Sequence, residues 1–291
     1  MVIEIFNVNK YFEEKHVLKD ITLKIQGGNI YGLVGANGAG KSTLIKAIMG
    51  QYKTDSGYIK INGEETFDNA DVKQIIGYVP DEENYFTSYK VKEILKFYKM
   101  AYKNFNMKRY NELNSVMEIP QNIYTRKLSK GMKMRLSIML NLSIEPQVLI
   151  MDEPTSGLDP IVKKQILNLI VDEAAKGTSI LISSHNLNDL ERICDGIAII
   201  DKGSIKFVST VENMKTNIRK IQVVFKSEPP KDMDTWKEII SISSMGKVYT
   251  IITSQYDSEL LEKLRKCDIL FQEEVDLSLE DMFIYSVGGS K

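Results

Sequence analysis

A lysine at the end of a glycine-rich turn is the first group in this chain placed to do chemistry. Residues 35–43 read Gly35-Ala36-Asn37-Gly38-Ala39-Gly40-Lys41-Ser42-Thr43, a complete G-x-x-x-x-G-K-[ST] loop. Glycine permits backbone conformations that turn successive N–H groups inward as an anion nest, and a helix starting near Ser42 adds its positive end. Lys41 then reaches the β and γ phosphates of a nucleoside triphosphate. The Ser42 hydroxyl is placed to ligate Mg²⁺, a hard cation that demands oxygen ligands. An ordinary glycine-rich turn would account for the glycines alone. It would not account for the loop falling between an apolar run, Ile30-Tyr31-Gly32-Leu33-Val34, and a helical pattern, Leu44-Ile45-Lys46-Ala47-Ile48.

A second constellation lies downstream. Val148-Leu149-Ile150-Met151-Asp152-Glu153 is a short apolar run ending in two acids. That pattern suits a strand buried on both faces whose carboxyl end opens on a nucleotide site. Asp152 can bind Mg²⁺ through water, and Glu153 can orient or deprotonate an attacking water. Apolar strands followed by acids are common, so the pair is only suggestive by itself. The next stretch is specific: Pro154-Thr155-Ser156-Gly157-Leu158-Asp159, then a strand, Ser179-Ile180-Leu181-Ile182-Ser183-Ser184, ending at His185. Upstream lies Leu128-Ser129-Lys130-Gly131-Met132.

In that order the motifs resemble those of the ATP-binding subunits of ABC transporters, over roughly residues 1–215. The resemblance implies an α/β fold: a P-loop NTPase core with a mixed sheet, a helical subdomain at about 82–145, and a small C-terminal α/β appendage at 216–291. By similarity Gly35, Asn37, Gly38, Ala39, Gly40, Lys41, Ser42 and Thr43 form the Walker A cradle, and Asp152 and Glu153 the Walker B carboxylates. Residues 156–159 match the D-loop, and His185 matches the histidine that contacts the γ-phosphate. Tyr11, 24 residues before Gly35, matches the aromatic that stacks on adenine, with a sheet-surface tyrosine as the alternative. His16 carries no comparable context and reads as a surface residue.

Two departures stand out. The family signature reads Leu-Ser-Gly-Gly-Gln, whereas Lys130 and Met132 replace a glycine and the glutamine here; Ser129 and Gly131, expected to touch the phosphates of the opposite subunit, are kept. In Gly77-Tyr78-Val79-Pro80-Asp81, an aspartate stands where the family has a magnesium-contacting glutamine. Asp81 offers a hard oxygen at a different reach. Because the family sandwiches ATP between the Walker A loop of one subunit and the signature of another, one motif set implies a dimer, either a homodimer or a heterodimer with a related chain. A membrane permease subunit is expected to dock at residues 81–89, with Tyr85 and Phe86 as docking candidates and Phe97 and Phe105 as core filler of the helical subdomain.

Composition narrows the function classes. A net charge of −1, with Lys and Arg scattered, leaves a nucleic-acid surface without electrostatic support. No apolar run approaches about 18 residues, so no helix is expected to span a membrane. Met1-Val2-Ile3-Glu4-Ile5 is a strand pattern without a basic n-region. Cys194 and Cys267 lack metal-ligand spacing and read as buried, reduced thiols of a cytosolic protein. Past Gly203 the pattern changes: strands at 221–225 and 248–252, a helix at 259–266, and a closing helix at 277–284 with a Ser278 cap. This appendage resembles the extension of ABC-2 type drug, antibiotic and peptide exporters. The resemblance thus implies a cytoplasmic ATPase held peripherally at the inner face of the cell membrane by an exporter's permease, using ATP and Mg²⁺. The alternative is a soluble ABC ATPase acting on ribosomes or nucleic acid. Such translation factors carry two motif sets, and chromosome ATPases insert a long coiled coil where only 89 residues separate Gly40 from Ser129.

Overall fold

The computed structural model describes residues 2–81, 87–185, 187–210, 219–230, 232–253 and 258–275. The chain divides into two compact units, one of Met1–Asn186 and Ile193–Val208, the other of Leu187–Arg192 and Ser209–Lys291. The second unit thus takes Leu187–Arg192 as well as the chain after Val208, whereas the resemblance puts a single boundary after residue 215.

The first unit holds two sheets whose sequences differ as their burial does. In the antiparallel sheet β1 (Val2–Phe12) pairs with β2 (Lys15–Gln26) on one side and β4 (Ser56–Ile61) on the other, with the short β5 (Glu64–Glu65) at the far edge. Its strands alternate: from Ile21 on, every second residue of β2 is buried, the period of a half-buried strand. The step from buried Leu18 to buried Ile21 breaks that period. The break coincides with a register shift in β1 and with Asp20 at φ 48°, so a bulge returns the following side chains to the core face.

The second sheet has the order β10-β9-β3-β8-β7-β6. Here β3 (Ile30–Val34), β7 (Val148–Asp152) and β8 (Ser179–Ser184) are buried throughout and pair in parallel, as do β9 (Gly196–Asp201) with β3 and β6 (Ile76–Val79) with β7. The strand β10 (Ser204–Thr210) closes one edge. Parallel strands covered on both faces read as continuous apolar runs. Because β3, β6, β7 and β8 share one direction, the residues after Val34, Val79, Asp152 and Ser184 emerge at one end of the sheet.

The helices sit where caps and apolar stripes put them. Leu44, Ile45, Ala47 and Ile48 of α1 (Lys41–Ile48) enter one core with Ile3, Leu33, Ile150 and Leu181, each large side chain contributing about 1.5–3 kcal/mol of burial. A five-residue α2 (Ala70–Gln74) precedes β6. The segment between the motif blocks folds into α3 (Val91–Ala101), α4 (Met107–Met117) and α5 (Lys130–Leu142). Phe105 packs partly buried between Tyr98 and Tyr110. Phe97, expected to be core filler, is instead 52% exposed. The long α6 (Pro160–Ala175) starts on Asp159, whose carboxylate accepts hydrogen bonds from the Ile161 and Val162 amides, with Pro160 in the first turn. The short α7 (Leu187–Leu190) follows β8.

In the second unit, β11 (Arg219–Phe225), β12 (Ile239–Met245), β13 (Val248–Thr253) and β14 (Ile269–Val275) form an antiparallel sheet of order β12-β13-β11-β14. Leu260 and Leu264 of α8 (Ser258–Arg265) share a core with Ile221, Val223, Phe225 and Ile251. The strands at β11 and β13 and the α8 helix stand where the sequence pattern puts them; the weaker alternation of β12 and β14 did not reveal those two. Residues 277–284 and the Ser278 cap lie outside the described residues. Among the described residues no helix is long and apolar enough to cross a membrane.

Candidate functional site

The glycine-rich loop turns out of β3 and into α1. Gly38 (φ 80°) and Gly40 (φ 113°) adopt left-handed backbone that a side chain would strain. Gly35 is needed for space: a Cβ there would lie 2.4 Å from the Ile200 carbonyl oxygen. Lys41 is the first residue of α1 and only 6% exposed. Its ammonium donates to the Gly35 carbonyl at 2.6 Å and stands 3.4 Å from Glu153 Oε1.

Across the cleft, β7 delivers Asp152 and Glu153. Asp152 is buried and accepts a 2.5 Å hydrogen bond from the Ser183 hydroxyl on neighbouring β8. The Glu153 amide donates to the Ser183 hydroxyl at 3.0 Å and its carbonyl at 3.2 Å, which holds Glu153 at φ 51°, an uncommon value for a residue with a side chain. One carboxylate oxygen, Oε2, lies 2.7 Å from Nδ1 of His185, just past the end of β8, and the His185 amide points to the same oxygen. The other, Oε1, is buried with no hydrogen-bond partner among the described residues, facing the Lys41 ammonium.

These groups surround one cavity of about 410 Å³, within the usual range of roughly 300–1,000 Å³ for ligand pockets. Asn37, Gly38, Gly40, Lys41, Ser42, Thr43, Asp81, Asp152 and Glu153 line it, as expected, together with Ala36. Gly35, Ala39 and His185 are not among the lining residues; Gly35 and Ala39 belong to the loop that forms the wall, and His185 touches Glu153, which lines it. Ser129 and Gly131 do not line it. The Ser129 hydroxyl caps α5 by accepting from the Met132 amide, and a Cβ on Gly131 would lie 3.7 Å from Leu158.

Tyr11 is also absent from the lining. Its ring stacks on His16 with centroids 4.0 Å apart, and its amide donates to Asp55 at 2.6 Å, an N–H that holds the Asp55 carboxyl below its ordinary range. The aromatic on the cavity wall is Phe12, the next residue along β1, with Lys15 and Val17 from the facing strand. Neighbouring strand residues face opposite ways, so a one-residue choice decides which ring meets a ligand. His16 is half-buried rather than a plain surface residue, with Nε2 on Asn9 at 2.8 Å. Sequence reasoning missed Phe12, Lys15, Val17 and Ser183. An aromatic beside Tyr11 and a hydroxyl inside an apolar strand were the signals available. Cys194 is buried, its thiol pushed up by that burial, whereas Cys267 is only half-buried; both are free. Tyr85 and Phe86 lie outside the described residues.

For a divalent cation, the Ser42 hydroxyl and the carboxylates of Asp152 and Asp81 supply hard oxygens on one cavity. No cluster of three or more His, Cys, Asp or Glu stands ready to hold a metal among the described residues. The donor set therefore fits a cation that takes most of its ligands from phosphate and water, as Mg²⁺ does.

A family model described as "ABC transporter" matches residues 18–156. The chain is 34% identical to the ABC transporter ATP-binding protein YtrB of Bacillus subtilis, over 100% of this chain and 99% of the relative. It is 30% identical to the bacitracin transport ATP-binding protein BcrA of Bacillus licheniformis, over 99% and 98%. The methionine import ATP-binding protein MetN of Clostridium acetobutylicum is 36% identical but covers 74% of this chain and 71% of itself. Among solved structures, an ATP-binding subunit of an ABC transporter superposes with a TM-score of 0.69 at 30% identity, covering 74% of this chain and 92% of that one.

Proposed function

This chain belongs to the ABC transporter family of ATP-binding subunits, and we propose that it drives an exporter by hydrolysing ATP in this cavity. The chain is an ABC ATPase; pairing of two such subunits and association with a membrane permease are general in the family. In our reading the loop amides of residues 37–43 and the Lys41 ammonium take the β and γ phosphates, which the nest and the helix end favour electrostatically. Lys41 then exchanges Glu153 and the Gly35 carbonyl for phosphate oxygens. Phe12, rather than Tyr11, offers its ring to the adenine.

Mg²⁺, held by Ser42 and Asp152 with Asp81 nearby, would neutralise phosphate charge. Glu153 takes a proton from the attacking water as general base. His185 holds the Glu153 carboxylate through Nδ1, leaving its other ring nitrogen for the γ-phosphate. Ser129 and Gly131 face the nucleotide of the opposite subunit, which accounts for their standing outside this chain's own cavity. The subunit pairs as a homodimer or with a related chain. It sits at the inner face of the membrane through a permease docked near residues 81–89, where Tyr89 is 54% exposed.

The observation that carries the nucleotide reading is the single cavity joining the glycine loop to Asp152, Glu153 and Asp81. Export rests on the C-terminal unit, whose pattern resembles the extension of exporter subunits and through which BcrA, named for bacitracin transport, aligns. Calorimetry on Lys41→Ala tests the site, with loss of tight ATP binding in a folded protein expected. Co-purification of the permease from native membranes, followed by transport in inside-out vesicles, tests the direction. ATP-driven uptake into such vesicles supports export, and ATP-driven loss overturns it.

A further inference from the structure

The two places where this chain departs from its family pattern meet in space. Asp81, 49 residues before Lys130, accepts from the Lys130 ammonium at 3.5 Å, with both side chains nearly half-exposed. Asp81 also lines the nucleotide cavity. Lys130 is the first residue of α5, and no acidic residue stands in that first turn. A cation there opposes the positive end of the helix dipole, so its place needs an anion from elsewhere, which Asp81 provides. The lysine shaft passes over Gly157: a Cβ on that glycine would lie 3.5 Å from the ammonium and 3.8 Å from Cδ, ordinary contact distances.

We infer that Lys130 is a positioning residue for Asp81. Its ammonium holds the carboxylate on the cavity wall from within the same chain, so a charged and strapped carboxylate serves where the family pattern has a neutral glutamine. A glycine at 130 with Asp81 would leave the carboxylate free to turn to solvent or to repel the phosphates. A lysine at 130 with glutamine would leave a cation at the positive helix end without its partner. The two departures therefore act as one substitution, and the strap joins the signature loop to the nucleotide cavity of its own chain. This inference rests on the nucleotide reading of that cavity.

The test is a double-mutant cycle read by calorimetric binding of magnesium–ATP to the full chain. Lys130→Met weakens binding about two- to fivefold, the range for an exposed ion pair, and Lys130→Arg restores it. In an Asp81→Asn background Lys130→Met has no further effect. At about 1 M KCl, where screening reaches roughly 3 Å, the coupling disappears. Equal weakening by Lys130→Met in both backgrounds would mean that Lys130 meets the nucleotide without Asp81 and overturns the inference. So would unchanged binding in Lys130→Met. Wild-type protein that binds no nucleotide overturns the cavity reading itself and the strap with it, whereas wild-type binding with an additive cycle overturns the strap alone.

Discussion

Glu153 combines three constraints in one residue: a left-handed backbone, a histidine on one carboxylate oxygen and a lysine facing the other. A side chain in that backbone region costs about 1–2 kcal/mol, met here by the two hydrogen bonds of its amide to Ser183. The strain aims the carboxylate into the cavity rather than along the strand. Glu153→Gln keeps the shape and removes the base, so steady-state hydrolysis falls about 10²–10⁴-fold while calorimetry still finds ATP bound. Wild-type turnover in this variant would mean that another group activates the water. The neighbouring rings of β1 give a second comparison. Phe12→Ala loses a stacking surface worth about 1 kcal/mol or more, so nucleotide affinity drops about fivefold or more, whereas Tyr11→Ala, which removes a ring stacked on His16, leaves it nearly unchanged. The reverse ranking would return the adenine contact to Tyr11.

At the scale of elements, the parallel strands act as rails that end together. Asp152 leaves β7 beside Ser183 of β8, and the glycine loop leaves β3 on the other side of β8, so groups far apart in sequence meet at one end of the sheet. The helix that follows the acids is fixed by its cap. Asp159→Ala removes both bonds to the first turn of α6 and should cost about 1 kcal/mol, measured as a lower midpoint in urea with little change in slope. Unchanged stability would show that Pro160 and packing of Val162, Ile166 and Ile170 suffice to start the helix. The period of apolar residues made β3, β7 and β8 legible in advance, because full burial leaves an unbroken run. The edge strands β12 and β14 were not legible, since their half-exposed faces carry serines and glutamates without a clean alternation.

For the whole molecule, Ser129 and Gly131 stand away from the cavity; if each nucleotide takes its signature from another subunit, as proposed, two defects become separable. Mixing Ser129→Arg chains with Glu153→Gln chains would then produce one site with both defects and one with neither. Turnover of the mixture should exceed that of either variant alone. Absence of rescue, with mixed dimers confirmed by cross-linking, would point to a heterodimeric partner or to sites that fire only together.

The motif series by itself determined the family and where the glycine loop and the two strand-end acids stand, because such a loop and strand demand fixed residue types at fixed local spacing: a glycine where φ is positive, a lysine at a helix start, acids at the end of an apolar strand. Tertiary structure decided what depends on which way a side chain faces or on what lies across the sheet. It put Phe12 on the cavity and Tyr11 against His16, a choice that the two-residue period of a strand makes and local sequence leaves open. It brought Ser183 to Asp152 and paired Lys130 with Asp81 across 49 residues. Such contacts are made by the register of neighbouring strands and the entry of α5, which no window along the chain contains.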